Sequence, residues 1–236
     1  MTILLLETAT EVCSTAIVRD GQLLCQRRST EPNAHSSLLA VFVDQMLVEA
    51  GLGPSSLDAV CVSAGPGSYT GLRIGVSTAK GLCYGLQIPL LSVPTLRSMA
   101  ALYYEQHPDY GGRVCPMLDA RRMECYTAFF ARTADGVEQL AETSADVIVE
   151  GLYDNWLDSG EVTFIGPGAA KTQPLLSRHP NARFDTTFAL SAMGMAAEAE
   201  RALREGRVED VAYFEPLYLK DFVAKKAAVR GLFKNQ

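Results

Sequence analysis

Short apolar runs broken by polar turns open the chain: "ILLLET" (3–8), "CSTAIVR" (13–19) and "QLLCQRRS" (22–29). A polar turn separates the first two and "RDG" the second and third, which predicts a meander of three antiparallel strands. A helical stretch, "HSSLLAVFVDQMLVEAG" (35–51), follows and stops at Gly51, a common helix C-terminus. A strand "DAVCVSAG" (58–65), a glycine turn, a helix over about 70–86 and a strand "PLLSV" (89–93) complete a mixed α/β lobe.

After "YEQHPDYGG" (104–112) the pattern restarts. "RVCPMLDAR" (113–121), "ECYTAFFAR" (124–132) and "EQLAETS" (138–144) again read as three strands. A helix "DVIVEGLYDNWLDSG" (146–160), a strand "VTFIGPG" (162–168) and further helix are expected next, with an Ala-rich helix "ALSAMGMAAEAERALREG" (189–206) closing at Gly206. Both halves run three strands, a helix, then a strand ending in G-P-G. This is a duplication of architecture, and it divides the chain into an N-terminal lobe (1–103), a C-terminal lobe (104–220) and a basic tail (221–236).

The 236 residues suffice for one large domain or two small lobes with a buried core. No run of about 18 apolar residues occurs, so no membrane span is expected. "MTILLLETATEV" lacks a basic leader and reaches Glu7 early, so a cytoplasmic protein is expected. Cys13, Cys25, Cys61, Cys83, Cys115 and Cys125 form no C-x-x-C pair and read as buried reduced thiols. His35, His107 and His179 lack metal-ligand spacing. A net charge of −6 argues against nucleic-acid binding by this chain alone. "KDFVAKKAAVR" (220–230) is the nearest approach to a basic cluster, either a solvated terminal segment or a contact for RNA or an acidic partner.

The stretch "CVSAGPGSYTGLRIGVSTAKGLCYG" (61–85) passes from strand through a glycine turn into a helix. Such a turn gathers backbone N–H groups at a helix N-terminus, which makes Gly65, Gly67 and Ser68 candidate anion contacts. A tight turn needing positive φ is the alternative. The dinucleotide pattern fails because Gly71 comes one residue late, and the Walker pattern fails because Leu72 and Arg73 follow it. Ser68 has no histidine near it in sequence and no hydrolase elbow around it.

Two helices carry an interface signal. Gly71, Gly75 and Ala79 recur every four residues, as do Ser77, Gly81 and Gly85, leaving flat stripes for close helix packing. On the 35–51 helix, Leu39, Ala40, Phe42, Val43, Met46, Leu47 and Ala50 fill one arc while Val41 and Val48 lie opposite. Burial on two sides follows, within the chain or against a second one. The interface candidates are Leu38, Val41, Phe42, Met46 and Val48 on the first helix and Gly71, Gly75 and Ala79 on the second.

Together "LLLETAT", "GPGSYTGLRIGVSTAKGL", "IPLLSVPTL", "LDARRMECY" and "PLYLK" resemble the TsaB (YeaZ) family, from Ile3 to about Lys220. The resemblance implies the actin-like ATPase architecture of two duplicated ribonuclease-H-like lobes. It also implies a part in making threonylcarbamoyladenosine in tRNA beside TsaD, a catalytic paralogue that holds metal through His-x-x-x-His. The matching positions here are Thr95 and Met99, so neither metal nor cofactor is expected. Relatives place Asp where this chain has Glu7, which weakens any expectation of ATP hydrolysis. His35 resembles a family position that caps or packs the first long helix, and Asp119 and Arg121 match the family pattern as turn and interlobe contacts.

The implied function is a non-catalytic scaffold acting with TsaD-like and TsaE-like partners, with tRNA reached only through the complex and homodimerisation available when the chain is alone. A stand-alone ATP-dependent kinase or metallopeptidase-like enzyme of the same fold is the alternative, and a self-contained homodimer with a regulatory or proteolytic role is a third.

Overall fold

Strand β1 (Thr2–Glu7) is buried along its whole length because both of its faces are covered. Leu4 and Leu6 pack into one apolar cluster, Ile3 and Leu5 into another. The structure is a computed structural model and describes residues 1–220. β1 pairs antiparallel with β2 (Cys13–Arg19), and β2 with β3 (Gln22–Ser29). On its other edge β1 runs parallel to β4 (Ala59–Ser63), which carries β5 (Leu90–Val93). Helices α1 (Ala34–Glu49) and α2 (Tyr69–Leu86) cover the Leu4–Leu6 face of this β3-β2-β1-β4-β5 sheet. The expected meander and the helix–strand alternation after it are present.

The second sheet repeats that order. β10 (Ser144–Val147), β7 (Glu124–Thr127), β6 (Arg113–Asp119), β11 (Val162–Ile165) and β12 (Ala182–Asp185) stand in sequence, with β6 in the place of β1 and the same antiparallel and parallel pairings. A hairpin of β8 (Phe130–Thr133) and β9 (Gly136–Gln139) branches from β6. The repeat extends to the loops. Gly65 after β4 has φ +91° and Gly166 after β11 has φ +92°, a left-handed conformation open to glycine. Each loop enters a helix, α2 in the first lobe and α5 (Ala169–Leu176) in the second. The protein is α/β, built from two duplicated ribonuclease-H-like lobes.

The second half departs from expectation in its details. The helix expected at 146–160 is strand β10 at its start and keeps only a short helix, α4 (Asp154–Asp158). Val147 and Val149 are exposed while Ile148 between them is buried, a period of two in a β-branched run. The Asp146 carboxylate accepts from the Thr127 and Tyr153 hydroxyls, each at 2.7 Å, and so fastens β10 to β7. β10, rather than the run at 138–144, therefore takes the third-strand position. The helix expected at 189–206 is a 3₁₀ turn (Ala192–Met195) followed by α6 (Ala196–Arg204).

Helices also change lobes. A helix absent from the sequence expectations, α3 (Thr95–Gln106), packs through Leu96, Met99, Leu102 and Tyr103 on the second sheet. Conversely, Ala196, Ala199 and Ala202 of α6 pack on Ile3, Leu5 and Val18 of the first. Residues 207–220 then run back over the first lobe, where Val211 and Phe214 join its core. Packing thus sets 95–106 against the second sheet and residues 196–214 against the first, across the expected boundary at 103, while Lys220 pairs with Glu124 of the second lobe. The tail at 221–236 lies outside the described residues. No helix among the described residues is long and apolar enough to cross a membrane.

Candidate functional site

The glycine loop after β4 is packed from both sides. Below it, the Ser68 N–H donates to the Ala9 carbonyl at 2.7 Å, and a β-carbon on Gly67 would lie 2.7 Å from that of Ala9. Above it, the Leu217 N–H donates to the Ala64 carbonyl at 2.7 Å, and a β-carbon on Gly65 would approach the Leu217 carbonyl oxygen to 2.8 Å. The Gly65 carbonyl accepts from Thr95 N–H at 2.9 Å, and the Ser68 hydroxyl caps α2 by accepting from Gly71 N–H at 3.2 Å. The atoms pressed against Gly65 and Gly67 include carbonyl oxygens, which repel an anion. Around Gly65 and Gly67 the loop is packed as a joint between the turn after β1 and Leu217.

The small stripe Gly71–Gly75–Ala79 faces inward. A β-carbon on Gly71 would overlap the Thr8 carbonyl oxygen and one on Gly75 the Thr8 hydroxyl, while Ala79 is fully buried in the first core. Met46 is fully buried too, its sulfur accepting from the Thr15 hydroxyl at 3.5 Å. These four interface candidates are covered by the chain's own atoms and cannot face a partner. Leu38 and Phe42 are half-buried against the first core. Ala40, placed in the apolar arc by the wheel, is exposed.

What α1 and α2 leave outward is a different set. Val41 is 44% exposed, Val48 74% and Tyr84 75%. Ser77, Gly81 and Gly85 are exposed as well, with nothing within 4 Å of where β-carbons on the two glycines would stand. Near the helix starts lies a groove of ≈ 580 Å³ lined by Ser36, Tyr69, Thr70, Arg73, Ile74, Ser77 and Thr78. Arg73 stacks over the Tyr69 ring and donates to its hydroxyl at 2.6 Å, and the Tyr218 ring lies 5.0 Å from that of Tyr69.

The remaining candidates are placed apart. Glu7, at the end of β1, is fully buried. Its Oε1 accepts from Ala9 N–H at 2.7 Å, and Oε2 has no partner among the described residues. Burial pushes its pKa up to about 7, against the opposing hydrogen bond from Ala9 N–H. Thr95 and Met99 are fully buried, and Met99 belongs to the second-lobe core. Among the described residues no three His, Cys, Asp or Glu side chains are grouped to hold a metal. His35 sits in the first turn of α1 with Nε2 enclosed and unpartnered among the described residues, so it packs rather than caps. All six cysteines are buried and unpaired, and burial raises the pKa of each.

Asp119 and Arg121 belong to the hairpin turn between β6 and β7. Asp119 Oδ1 accepts from Arg121 N–H at 2.7 Å and pairs with the Lys171 ammonium. Partial burial acts to raise the Asp119 pKa and is outweighed by Lys171 and the Arg121 N–H, which hold it below the usual carboxylate range. Arg121 and Arg122 have φ of +75° and +50°. Left-handed backbone costs about 1–2 kcal/mol at each residue other than glycine. Arg122 and Lys171 were not singled out in the sequence; a basic pair in a turn with no glycine is the signal that could have found Arg122.

The family profile described as "TsaD: tRNA N6-adenosine threonylcarbamoyltransferase" matches residues 30–228. The chain is 32% identical over 234 residues to the tRNA threonylcarbamoyladenosine biosynthesis protein TsaB of Escherichia coli, covering 96% of this chain and 97% of that one. The solved structure of YeaZ from Pseudomonas aeruginosa superposes with a TM-score of 0.80 at 28% identity, over 92% of this chain and 99% of that one. A 2-hydroxyisocaproyl-CoA dehydratase activator from Clostridium difficile, solved with bound ADPNP, shares the fold alone, with a TM-score of 0.50 and 11% identity over 89% of this chain and 99% of that one. The architecture is that of the actin-like ATPases, and the chain belongs to the TsaB (YeaZ) family of tRNA threonylcarbamoyladenosine biosynthesis proteins.

Proposed function

We propose that this chain serves threonylcarbamoyladenosine biosynthesis as a non-catalytic subunit, docking a TsaD-like catalytic paralogue through the outward faces of α1 and α2. The observation that carries the reading is the apolar and small surface those helices leave open: Val41, Val48 and Tyr84 beside Ser77, Gly81 and Gly85. A bulky charged surface would solvate such a pair of helices equally well, whereas flat apolar faces suit close packing by another helix. The same faces can pair with a second copy when the paralogue is absent.

In this reading the paralogue transfers the threonylcarbamoyl group to the adenosine 3′ of the anticodon in tRNAs reading codons that begin with A. A TsaE-like ATPase completes the assembly, and this chain meets tRNA only within it. Thr95 and Met99, both in the interior, support a subunit without metal chemistry of its own. The stand-alone kinase or metallopeptidase-like reading is not favoured by the relatives. Co-purification with the paralogue tests the proposal: a stoichiometric complex is expected, and separate elution of two folded proteins contradicts it.

A further inference from the structure

Arg121 and Arg122 stand side by side at the tip of a three-residue hairpin loop, Arg121–Met123. Ala120 N–H donates to the Glu124 carbonyl at 3.0 Å, and Glu124 N–H to the Arg121 carbonyl at 3.1 Å, so the backbone closes the loop. Nothing in that closure calls for arginine. Both residues hold positive φ, where glycine or asparagine would sit without strain, and both are exposed. Neither guanidinium makes a hydrogen bond or ion pair among the described residues.

The neighbouring carboxylates do not neutralise the turn, because each already has a cation. Lys171 pairs with Asp119 and also donates to the Glu124 carbonyl at 2.7 Å, and Lys220 pairs with Glu124. Four cations against two carboxylates leave a local excess of two positive charges on a chain whose net charge is −6. Lys220 is also where the chain enters residues 221–236, whose sequence holds Lys225, Lys226, Arg230 and Lys234 against the single acid Asp221.

We propose that Arg121 and Arg122 form an RNA-backbone contact, each guanidinium taking a phosphate of the tRNA held by the assembled complex. The inference rests on the accessory-subunit reading above. Arg121 acts on Asp119 only through its charge, and a strained backbone position occupied by an exposed arginine with no hydrogen bond or ion pair of its own among the described residues points to a ligand rather than to the fold. Guanidinium matches phosphate through paired hydrogen bonds, and counterion release makes such contacts readable in the salt dependence of binding.

The test is an Arg121→Gly/Arg122→Gly variant, assembled with the TsaD-like and TsaE-like subunits and titrated with unmodified tRNA over a range of salt. Glycine accepts the backbone of this turn, so the thermal midpoint should be held or raised. The expected result is at least a tenfold loss of tRNA affinity at low salt and a slope of log K against log salt shallower by about two. Arg121→Lys/Arg122→Lys keeps the charge and should recover the slope but only part of the affinity, because an ammonium cannot make the paired hydrogen bonds. An unchanged slope, in an assembly that requires this chain for modification, overturns the inference alone. Failure of the glycine variant to join the assembly assigns the turn to a protein contact and overturns it as well. If the wild-type chain proves dispensable, the proposed function falls and the inference with it.

Discussion

The β-carbon that Gly75 lacks would overlap the hydroxyl oxygen of Thr8. Helix α2 therefore lies directly against the turn that follows β1, and glycine is there to permit the approach. Thr8 is fully buried, so it has nowhere to swing. Gly75→Ala should destabilise the isolated chain by about 1–3 kcal/mol, as overpacking does. A lower denaturant midpoint with an unchanged slope is the expected reading. A midpoint equal to wild type would show that the contact is slack. Gly75→Leu is for the same reason no test of an interface, since it disrupts the monomer first.

Association is better probed where the surface is open. Val41→Glu and Gly81→Leu alter exposed positions on α1 and α2, so each should leave stability within roughly 1 kcal/mol of wild type. Both should abolish binding to the catalytic paralogue in calorimetry, because a charge or a bulky side chain holds packed helices apart. Full binding by both variants would contradict docking through this face.

Gly81 offers a companion measurement on the chain alone. It is a helical glycine with nothing within 4 Å of an added β-carbon. Gly81→Ala should therefore stabilise the isolated protein by up to about 1 kcal/mol through helix propensity. No change, or a loss, would mean that a neighbour already occupies that face in solution.

Glu7 makes stability depend on pH. Its folded pKa is raised from 4.5 to about 7 by burial, so the folded state holds a proton that the unfolded chain releases above about 4.5. The associated stability is fully present below pH 4.5 and is lost as pH rises through about 7, a change of about 3 kcal/mol. Glu7→Gln cannot ionise, and its stability profile should lack this change across that window. Parallel profiles for the two proteins would show that Glu7 is hydrated or already ionised in the native state.

The first lobe was legible because its strands are short apolar runs separated by polar turns, and Gly51 marks the end of its first helix. The second lobe was harder. The run 146–149 is short and β-branched, and only pairing with β7 decides that it is a strand. The exchange of α3 and α6 between lobes is set by long-range packing that no local period records. The small stripes on α2 were visible, but sequence could not say which faced inward, since that depends on where Thr8 lies. Arg121 was legible as a turn residue, but the left-handed backbone of Arg121 and Arg122 was not, because a turn of that shape is normally signalled by glycine or asparagine.

The claim that this chain is an accessory subunit is tested most directly by reconstitution. Unmodified tRNA reading codons that begin with A is incubated with the TsaD-like and TsaE-like proteins, ATP and threonylcarbamoyl-adenylate, with and without this chain, and the digested tRNA is analysed by mass spectrometry. Threonylcarbamoyladenosine should appear only when the chain is present together with its partners, and the chain alone should give none. Full modification in its absence would contradict the account.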